Sequence, residues 1–221
     1  TFERYASLMA VSPYHRIELL NNTEKSYHFA IYQRPHPKSS ALRSVAWKVR
    51  GVPPRGVFAS ASFVEWKAGD YGVCIADWDE KRERYFERQI IGAQLGKAYR
   101  VSTVDCDDIP SICPKPTGST DERFISLTNE SDETLVLGIT LDLSLVAVQS
   151  VEAGGSLRFC AAESTAYCVS CYRYIQAGQV AVLTSLLTPV DVSFDDEYEH
   201  CKVVATNHNG KRLLRVSKFC M

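Results

Sequence analysis

Two cysteines, Cys168 and Cys171, have the spacing of a redox pair or of half a zinc site. A redox role requires such a pair at the N-terminus of a helix, where the pKa of the first thiol falls. The surrounding segment, Tyr167 to Ile175, has a strand-like composition, and positions three apart on a strand face opposite sides of a sheet. We therefore expect these thiols to be core residues or disulfide partners.

The chain has eight cysteines, an even number that permits up to four disulfides in an oxidising compartment. In a reducing compartment the same residues would be small buried hydrophobic groups. Two Asn-x-Ser/Thr triplets, which begin at Asn21 and Asn129, have the form of N-glycosylation sites. The cysteines and triplets together favour a secreted, extracellular protein. The candidate disulfide partners are Cys106, Cys113, Cys168 and Cys171.

Acidic residues cluster in two predicted loops. One holds Asp105, Asp107 and Asp108, and the other holds four carboxylates between positions 195 and 199. Calcium takes several oxygen ligands from flexible loops, so Asp105, Asp107 and Asp108 are the candidate ligands of a calcium site. The alternative, a solvated acidic loop, is the interpretation we prefer. No other cofactor is predicted.

The histidines offer a second, enzymatic interpretation. A metal-dependent enzyme of the cupin type would use some of His28, His36 and His200, which would have to converge from separate segments. Nothing in the sequence has the His-x-His spacing of such a site. It also lacks a Gly-x-Ser-x-Gly elbow and a Gly-rich phosphate loop. We predict no catalytic residue.

Three aromatic residues fall close together around one predicted strand–turn–strand unit: Trp66, Tyr71 and Trp78. Aromatic side chains that are exposed can stack on a sugar ring, although aromatics also dominate protein cores. We take these three as the candidate ligand-binding residues.

Composition and charge exclude some classes of partner. The 221 residues include 25 Lys and Arg against 26 Asp and Glu, whereas nucleic-acid-binding proteins usually carry a basic excess. The longest apolar stretch, Thr134 to Val151, is interrupted by Asp142, so no membrane span is predicted. The first residues, Thr1 to Tyr5, have neither an initiator Met nor a signal-peptide pattern, which predicts a removed leader or a shortened chain.

Strand-like patterns recur along the whole chain. Strict alternation of apolar and polar residues from Ile139 to Leu145 predicts a strand with one wet face, as in antiparallel sheets. Asn209-Gly210 predicts a tight hairpin near the end. Glu80 to Gln89 is either a helix or a β-ribbon, and Asp105 to Asp121 is a long surface loop. No long repeat is evident.

These patterns predict the fold class. Many short strands with turn residues between them indicate an all-β protein, an antiparallel two-sheet β-sandwich of the jelly-roll kind with little helix. We expect a single domain over residues 1–221, with the alternative that residues 190–221 form an appended C-terminal hairpin. Exposed sheet edges would allow an oligomer such as a dimer.

The order of these segments resembles the RhiA-type proteins of rhizosphere bacteria. In the first part of the chain, the resemblance is carried by Asn21-Asn22-Thr23 followed by Phe29-Ala30-Ile31-Tyr32-Gln33, by Ser44 to Lys48, and by Phe63 to Trp66 with Tyr71 to Cys74. Later it is carried by Leu137 to Thr140, by Val146 to Gln149, and by Tyr172-Arg173-Tyr174 running into Ala177 to Val180. The resemblance covers roughly Arg16 to Val182. It implies a jelly-roll β-sandwich and a role outside metabolism, at an interface between organisms. The cysteines, the Asp105–Asp121 loop and the segment after Pro189 depart from the pattern.

The expected function follows from these observations. We expect a non-enzymatic binding protein that recognises a glycan or the surface of a protein partner. The alternatives are the metal-dependent jelly-roll enzyme and an inert structural or secreted protein.

Overall fold

Strands make up nearly all of the regular structure. The computed structural model describes residues 14–33, 41–57, 60–103, 109–119, 121–160, 166–180, 185–194 and 200–219. These residues form mostly antiparallel sheets that pack together, and none of them is helical, so the prediction of an all-β sandwich with little helix is confirmed. Within those ranges, no helix has the length and apolarity needed to cross a membrane.

Seventeen strands follow one another in the described ranges. They are β1 (Tyr14–Asn21), β2 (Tyr27–Gln33), β3 (Arg43–Ser44), β4 (Lys48–Val52), β5 (Ala61–Lys67), β6 (Tyr71–Asp79), β7 (Arg84–Gly92), β8 (Lys97–Thr103), β9 (Pro110–Ser119), β10 (Phe124–Asn129), β11 (Leu135–Leu141), β12 (Ser144–Val151), β13 (Ser156–Cys160), β14 (Ala166–Tyr172), β15 (Val190–Ser193), β16 (His200–His208) and β17 (Lys211–Phe219).

Hydrogen bonding groups these strands into four sheets. Their strand orders are β17-β16-β1-β5, β13-β10-β8-β9, β3-β12-β11-β6-β7 and β15-β14-β2-β4. Of the described strand pairs, β1 with β16 and β8 with β10 are parallel, and the others are antiparallel.

Apart from β3, the described strands fall into two halves with equivalent order and pairing, β1–β9 and β10–β17. In the first half β1 pairs with β5 and β2 with β4, and in the second half β10 pairs with β13 and β11 with β12. The later strands follow the same rule, since β6–β7 and β8–β9 correspond to β14–β15 and β16–β17. The repeat lies in strand order and pairing, which the sequence alone did not reveal.

The two halves exchange strands. Strand β6 of the first half pairs with β11 of the second, and in return β14 pairs with β2. Likewise β8 lies parallel to β10, and β16 lies parallel to β1. Each of the four sheets therefore contains strands from both halves.

A buried asparagine closes the turn after β1. The Asn21 side chain is completely buried, and its Nδ2 donates to the carbonyl oxygens of Lys25 at 2.7 Å and Val52 at 3.1 Å. Its Oδ1 accepts from the backbone N–H of Thr23 at 3.1 Å and from the Thr23 hydroxyl at 2.7 Å. Because it can bond its own backbone two residues on, asparagine is the natural residue for this Asx-type turn.

The equivalent turn after β10 repeats this network. Asn129 is also completely buried and donates to the carbonyl oxygens of Glu133 at 2.7 Å and Val151 at 3.0 Å, while Ser131 replaces the threonine. These are the two triplets that the sequence presented as glycosylation sites. Both amide nitrogens are enclosed and already donate two hydrogen bonds, so neither carries a glycan in the folded protein, and this support for secretion is lost.

The predicted strand from Ile139 to Leu145 is in fact a hairpin. Strand β11 ends at Leu141 and β12 begins at Ser144, with Asp142 and Leu143 between them at φ values of 50° and 57°. Two residues with positive φ form a turn whose twist matches that of the flanking strands. Leu143 is 72% exposed, so this apolar residue, which continues the alternating pattern in the sequence, lies in the turn and outside the core.

At the equivalent position of the first half, a longer segment joins β2 to β4 in place of this two-residue turn. It contributes Trp47, which is buried and whose indole Nε1 donates to the carbonyl oxygen of Leu141 at 2.9 Å. Trp47 packs edge-on against Trp66 at 4.9 Å between ring centroids. This aromatic contact ties the segment to a core shared by both halves.

Other predicted segments can be compared directly. Residues 110–119 of the predicted Asp105–Asp121 loop form β9, an edge strand in which prolines are tolerated because one side needs no N–H donor. Glu80 to Gln89 contains a turn followed by β7, the ribbon alternative. Asn209 and Gly210, at φ values of 51° and 75°, form the predicted hairpin, and its strand β16 is hydrogen-bonded to β1.

Candidate functional site

An open cleft of about 310 Å³ lies between the β6–β7 turn and the segment that follows β14. It combines aromatic and apolar walls with a few polar groups, the usual make-up of a small-molecule site. Its described lining residues are Trp78, Glu83, Tyr172, Tyr174, Ile175, Gln179 and Val180.

Trp78 and Tyr174 form the exposed aromatic walls. Trp78 is 43% exposed and packs against Tyr85, with 4.8 Å between ring centroids. Tyr174 is 63% exposed, and its ring lies 5.3 Å from that of His28. Each ring is supported on one side by another aromatic ring, which leaves its remaining surface available to a ligand.

The two aromatic walls occupy equivalent positions in the two halves. Trp78 lies near the end of β6, and Tyr174 follows β14, the strand that corresponds to β6. Val73 on β6 pairs with Ile139, as Val169 on β14 pairs with Ile31. Counted forward along the chain from these two valines, Trp78 and Tyr174 occupy the same position. The cleft thus lies where equivalent segments of the two halves meet.

Two hydrogen bonds join the two sides of the cleft. The Tyr85 N–H donates to the carbonyl of Gly178 at 2.9 Å, and the Gln179 side chain donates to the carbonyl of Arg82 at 3.0 Å. Gly178 has a φ of 85°, and a Cβ there would collide with the Tyr85 carbonyl oxygen. Only glycine permits this close approach of the two backbones.

Glu83 supplies a carboxylate at the edge of the cleft. Its side chain makes no hydrogen bond or ion pair with another described residue, and its backbone is held at a φ of 50° by the tight β6–β7 turn. On the same turn, a hydrogen bond from Arg82 lowers the pKa of the Asp79 carboxyl. Of the carboxylates on this turn, Glu83 is the one that lines the cleft, where it can accept a hydrogen bond from a ligand hydroxyl.

The inner wall of the cleft is a tyrosine that stays neutral. Tyr172 is only 6% exposed, and burial raises the pKa of its hydroxyl. Burial likewise raises the pKa of nearby Tyr32, whose hydroxyl lies 2.7 Å from the Ser170 hydroxyl. Neutral phenols can both donate and accept hydrogen bonds, so this wall is polar without carrying charge.

The aromatic residues singled out in the sequence do not form one patch. Trp66 is 1% exposed and lies in the core between Trp47 and Tyr167. Tyr71 packs against Phe159 at 5.5 Å between ring centroids. Of these three candidates, only Trp78 lines the cleft, because the turn between β5 and β6 directs the other two into the core.

The disulfide prediction is wrong for the described candidates Cys113 and Cys171, which are free thiols. Their cross-strand neighbours are Arg100 and Phe29, and Arg100 Nε donates to the Cys113 sulfur at 3.3 Å. Cys168 faces Tyr32. None of the described strand pairs places two cysteines opposite each other, so the geometry offers no bridge. Cys106 lies outside the described residues.

The buried thiols are poor nucleophiles. Burial raises the pKa of Cys74 and of Cys171, and it raises the pKa of Cys201 to about 12. The nucleophilic species is the thiolate, so these three groups are unreactive at neutral pH. Their chemistry is that of small core residues.

The candidate metal ligands are not brought together where they can be located. His28 lies in the sheet β15-β14-β2-β4 and His200 in the sheet β17-β16-β1-β5. Among the residues with described positions, no group of three or more His, Cys, Asp or Glu side chains has the arrangement of a metal site. His36 and the calcium candidates Asp105, Asp107 and Asp108 lie outside the described ranges.

Sequence reasoning missed most of the cleft. Tyr172 and Tyr174 entered only as part of the family resemblance, and Glu83 was considered only within a charged segment. The Asn-x-Ser/Thr triplets at Asn21 and Asn129 mark equivalent turns, but the spacing between them differs from the spacing between Trp78 and Tyr174. Only the strand pairing leads from one aromatic wall to the other.

One comparison with known proteins identifies a family. The sequence profile of the RhiA family matches residues 12–216, which includes β9 and most of the segment after Pro189. Both segments therefore lie within the matched region. No curated protein and no solved structure matches the chain. With nearly its whole length covered by that profile, the chain belongs to the RhiA family.

Proposed function

We propose that this protein is a non-enzymatic binding protein that recognises a sugar ring of a glycan in the cleft between Trp78 and Tyr174. The observation that carries the proposal is the exposure of these two aromatic side chains, 43% and 63%, on the walls of one cleft. Large apolar groups exposed together commonly mark interaction sites.

The chemistry of the cleft suits a sugar. An aromatic face packs against the apolar C–H face of a pyranose ring, while polar groups at the rim bond its hydroxyls. Glu83 can accept such bonds, and the Tyr174 hydroxyl, which accepts a hydrogen bond from Gln176 Nε2, can still donate one. The open, shallow shape of the cleft favours the end or edge of a chain over a fully enclosed small molecule.

Binding can be followed through tryptophan fluorescence. The chain has three tryptophans, of which Trp47 and Trp66 are buried and Trp78 is exposed. A glycan seated in the cleft should protect Trp78 from quenching by iodide and shift its emission. A panel of neutral oligosaccharides screened in this way, with titration calorimetry on each hit, tests the proposal.

Matched variants locate the site. We expect Trp78→Ala and Tyr174→Ala each to weaken glycan binding by about tenfold, the loss of one stacking contact. Phe63→Ala is the control, because Phe63 is 50% exposed and lies on β5 outside the cleft. Binding unchanged in Trp78→Ala, or weakened equally in Phe63→Ala, would contradict a site in this cleft.

A further inference from the structure

A second cavity, of about 500 Å³, lies on the opposite side of the segment that follows β14. Arg173 lines this cavity, whereas its neighbours Tyr172 and Tyr174 line the aromatic cleft. The two cavities share no described lining residue. The lining residues of the second are Lys25, Ser26, Tyr27, Arg173, Leu186, Leu187, Gly210 and Arg212.

Three cationic residues line this cavity. Lys25 comes from the turn after β1, Arg173 from the segment after β14, and Arg212 from the start of β17. None of the described lining residues is a carboxylate, and these three cations make no ion pair with any other described residue. Unlike them, many described cations face acids, such as Arg16 with Glu65, Lys48 with Asp142, Arg100 with Glu130 and Lys202 with Glu18.

The cavity walls are held by the fold. The carbonyl of Lys25 accepts the hydrogen bond from Asn21 Nδ2 at 2.7 Å. Leu186 donates its N–H to the carbonyl of Cys171 at 2.8 Å, and Gly210 lies in the tight β16–β17 turn with a φ of 75°. The backbones that carry the cations are therefore fixed before any ligand arrives, which lowers the entropy lost on binding.

The fold itself does not require this basic cluster. The position equivalent to Lys25 in the second half is Glu133, which accepts the same hydrogen bond from its asparagine. By the same count along β6 and β14, the position equivalent to Arg173 is Asp77, whose carboxylate Oδ1 lies 3.9 Å from the guanidinium of Arg88. Equivalent backbones thus carry acids in one half and unpaired cations in the other.

We propose that this basic cavity binds an oxyanion, a phosphate or sulfate group, between Lys25, Arg173 and Arg212. The three cations repel one another because no counter-charge lies among them, and a bound dianion would attract all three. The planar guanidinium groups of Arg173 and Arg212 match the oxygen spacing of such anions and form paired, charge-assisted hydrogen bonds with them. Binding here does not depend on the aromatic cleft.

Titration calorimetry with inorganic phosphate and with inorganic sulfate, at constant ionic strength set with chloride, tests the proposal. We expect saturable binding of one anion per chain, weakened at least tenfold in the double variant Arg173→Gln/Arg212→Gln. The control is Arg50→Gln/Arg215→Gln, which changes the net charge equally at exposed arginines outside the cavity and should bind like the original protein.

Two results would overturn the site. One is the absence of saturable binding to the original protein, and the other is equal weakening in both double variants, which indicates diffuse charge attraction. Removing like charges should leave the unfolding midpoint unchanged or higher, and Lys25→Gln provides a second, milder test. Trp78→Ala should retain anion binding, and Arg173→Gln/Arg212→Gln should retain glycan binding, so failures of the two sites are distinguishable.

Discussion

The turns after β1 and β10 have the same buried hydrogen bonds but different exposed side chains. Asn21 and Asn129 are both fully buried and make the same hydrogen bonds, to within about 0.1 Å in their donor distances. The next residues outward have opposite charge, Lys25 in one turn and Glu133 in the other. The comparison shows that buried polar contacts hold the strand-exchanged fold, while exposed positions on equivalent backbones are available for different binding sites.

The strongest test of this equivalence is removal of the asparagines. Asn21→Ala and Asn129→Ala each delete a side chain that satisfies two buried carbonyl groups and a backbone N–H, so each should lower the free energy of unfolding by about 2–4 kcal/mol. Denaturant unfolding measures both values. The exposed neighbour Asn22 is the control, and Asn22→Ala should change stability by less than about 0.5 kcal/mol. Unequal losses of more than about twofold would show that the turns are not equivalent.

A second test uses a core position where the halves differ. Gly138 on β11 corresponds to Ala30 on β2, and a Cβ on Gly138 would lie 2.7 Å from the Cys74 sulfur and 2.6 Å from Leu145. Overpacking of this kind lowers stability by about 1–3 kcal/mol, so we expect Gly138→Ala to destabilise the protein.

The partner of this glycine provides the control. Cys74 lies opposite Gly138, and its equivalent in the other half, Ser170, lies opposite Ala30. The second pair accommodates the methyl group of Ala30. Cys74→Ala should therefore recover part of the loss in a Gly138→Ala background, and a double-mutant cycle measures the coupling. A neutral Gly138→Ala, or the absence of coupling, would disprove the contact.

A smaller effect, of opposite sign, is expected at the turn that the first half lacks. Leu143 has a φ of 57° and is 72% exposed, and a left-handed conformation costs a non-glycine residue about 1–2 kcal/mol. Leu143→Gly should therefore raise the free energy of unfolding by up to about 1 kcal/mol, after the added backbone entropy of glycine is subtracted. A lowered unfolding midpoint in a thermal scan would contradict this account of the turn.

The last test concerns pH and the buried thiol of Cys201, whose equivalent on β8 is Lys97. Burial raises the Cys201 pKa from 9.0 to about 12, so below pH 9 the thiol is protonated in both the folded and unfolded states. As pH rises from 9 to 12 the unfolded state loses this proton first, and stability falls. Cys201→Ala should show a shallower loss of stability over that interval, measured by urea unfolding, and an identical slope would exclude this contribution.

The sequence predicted the local structure better than the arrangement. Alternating apolar residues and turn signals such as Asn209-Gly210 identify strands and hairpins, because both depend on nearby residues. The exchange of β6 and β14 depends on pairing between distant segments, which no local pattern encodes. Leu143 shows the limit of periodicity, since an apolar residue at the expected spacing lies in a turn and is exposed.

The candidate sites were harder to predict for the same reason. Trp78 was selected together with Trp66 because they are close in sequence, yet one is exposed and the other is buried. The second wall of the cleft, Tyr174, and the three cations of the basic cavity come from distant segments of the chain. Only the strand exchange brings them together.

The exchange of strands also determines how the chain must fold during synthesis. Every sheet needs strands from both halves, and the sheets that contain β1 and β2 are complete only after β17 (Lys211–Phe219) and β15 (Val190–Ser193) have left the ribosome. At about 5–20 residues per second, the first half waits for several seconds with unpaired strand edges exposed. Pairings such as Asn21 with Ala205 also join residues far apart in sequence, which slows folding. The rate of folding, and protection of the nascent first half by chaperones, should therefore limit the yield of this protein in cells.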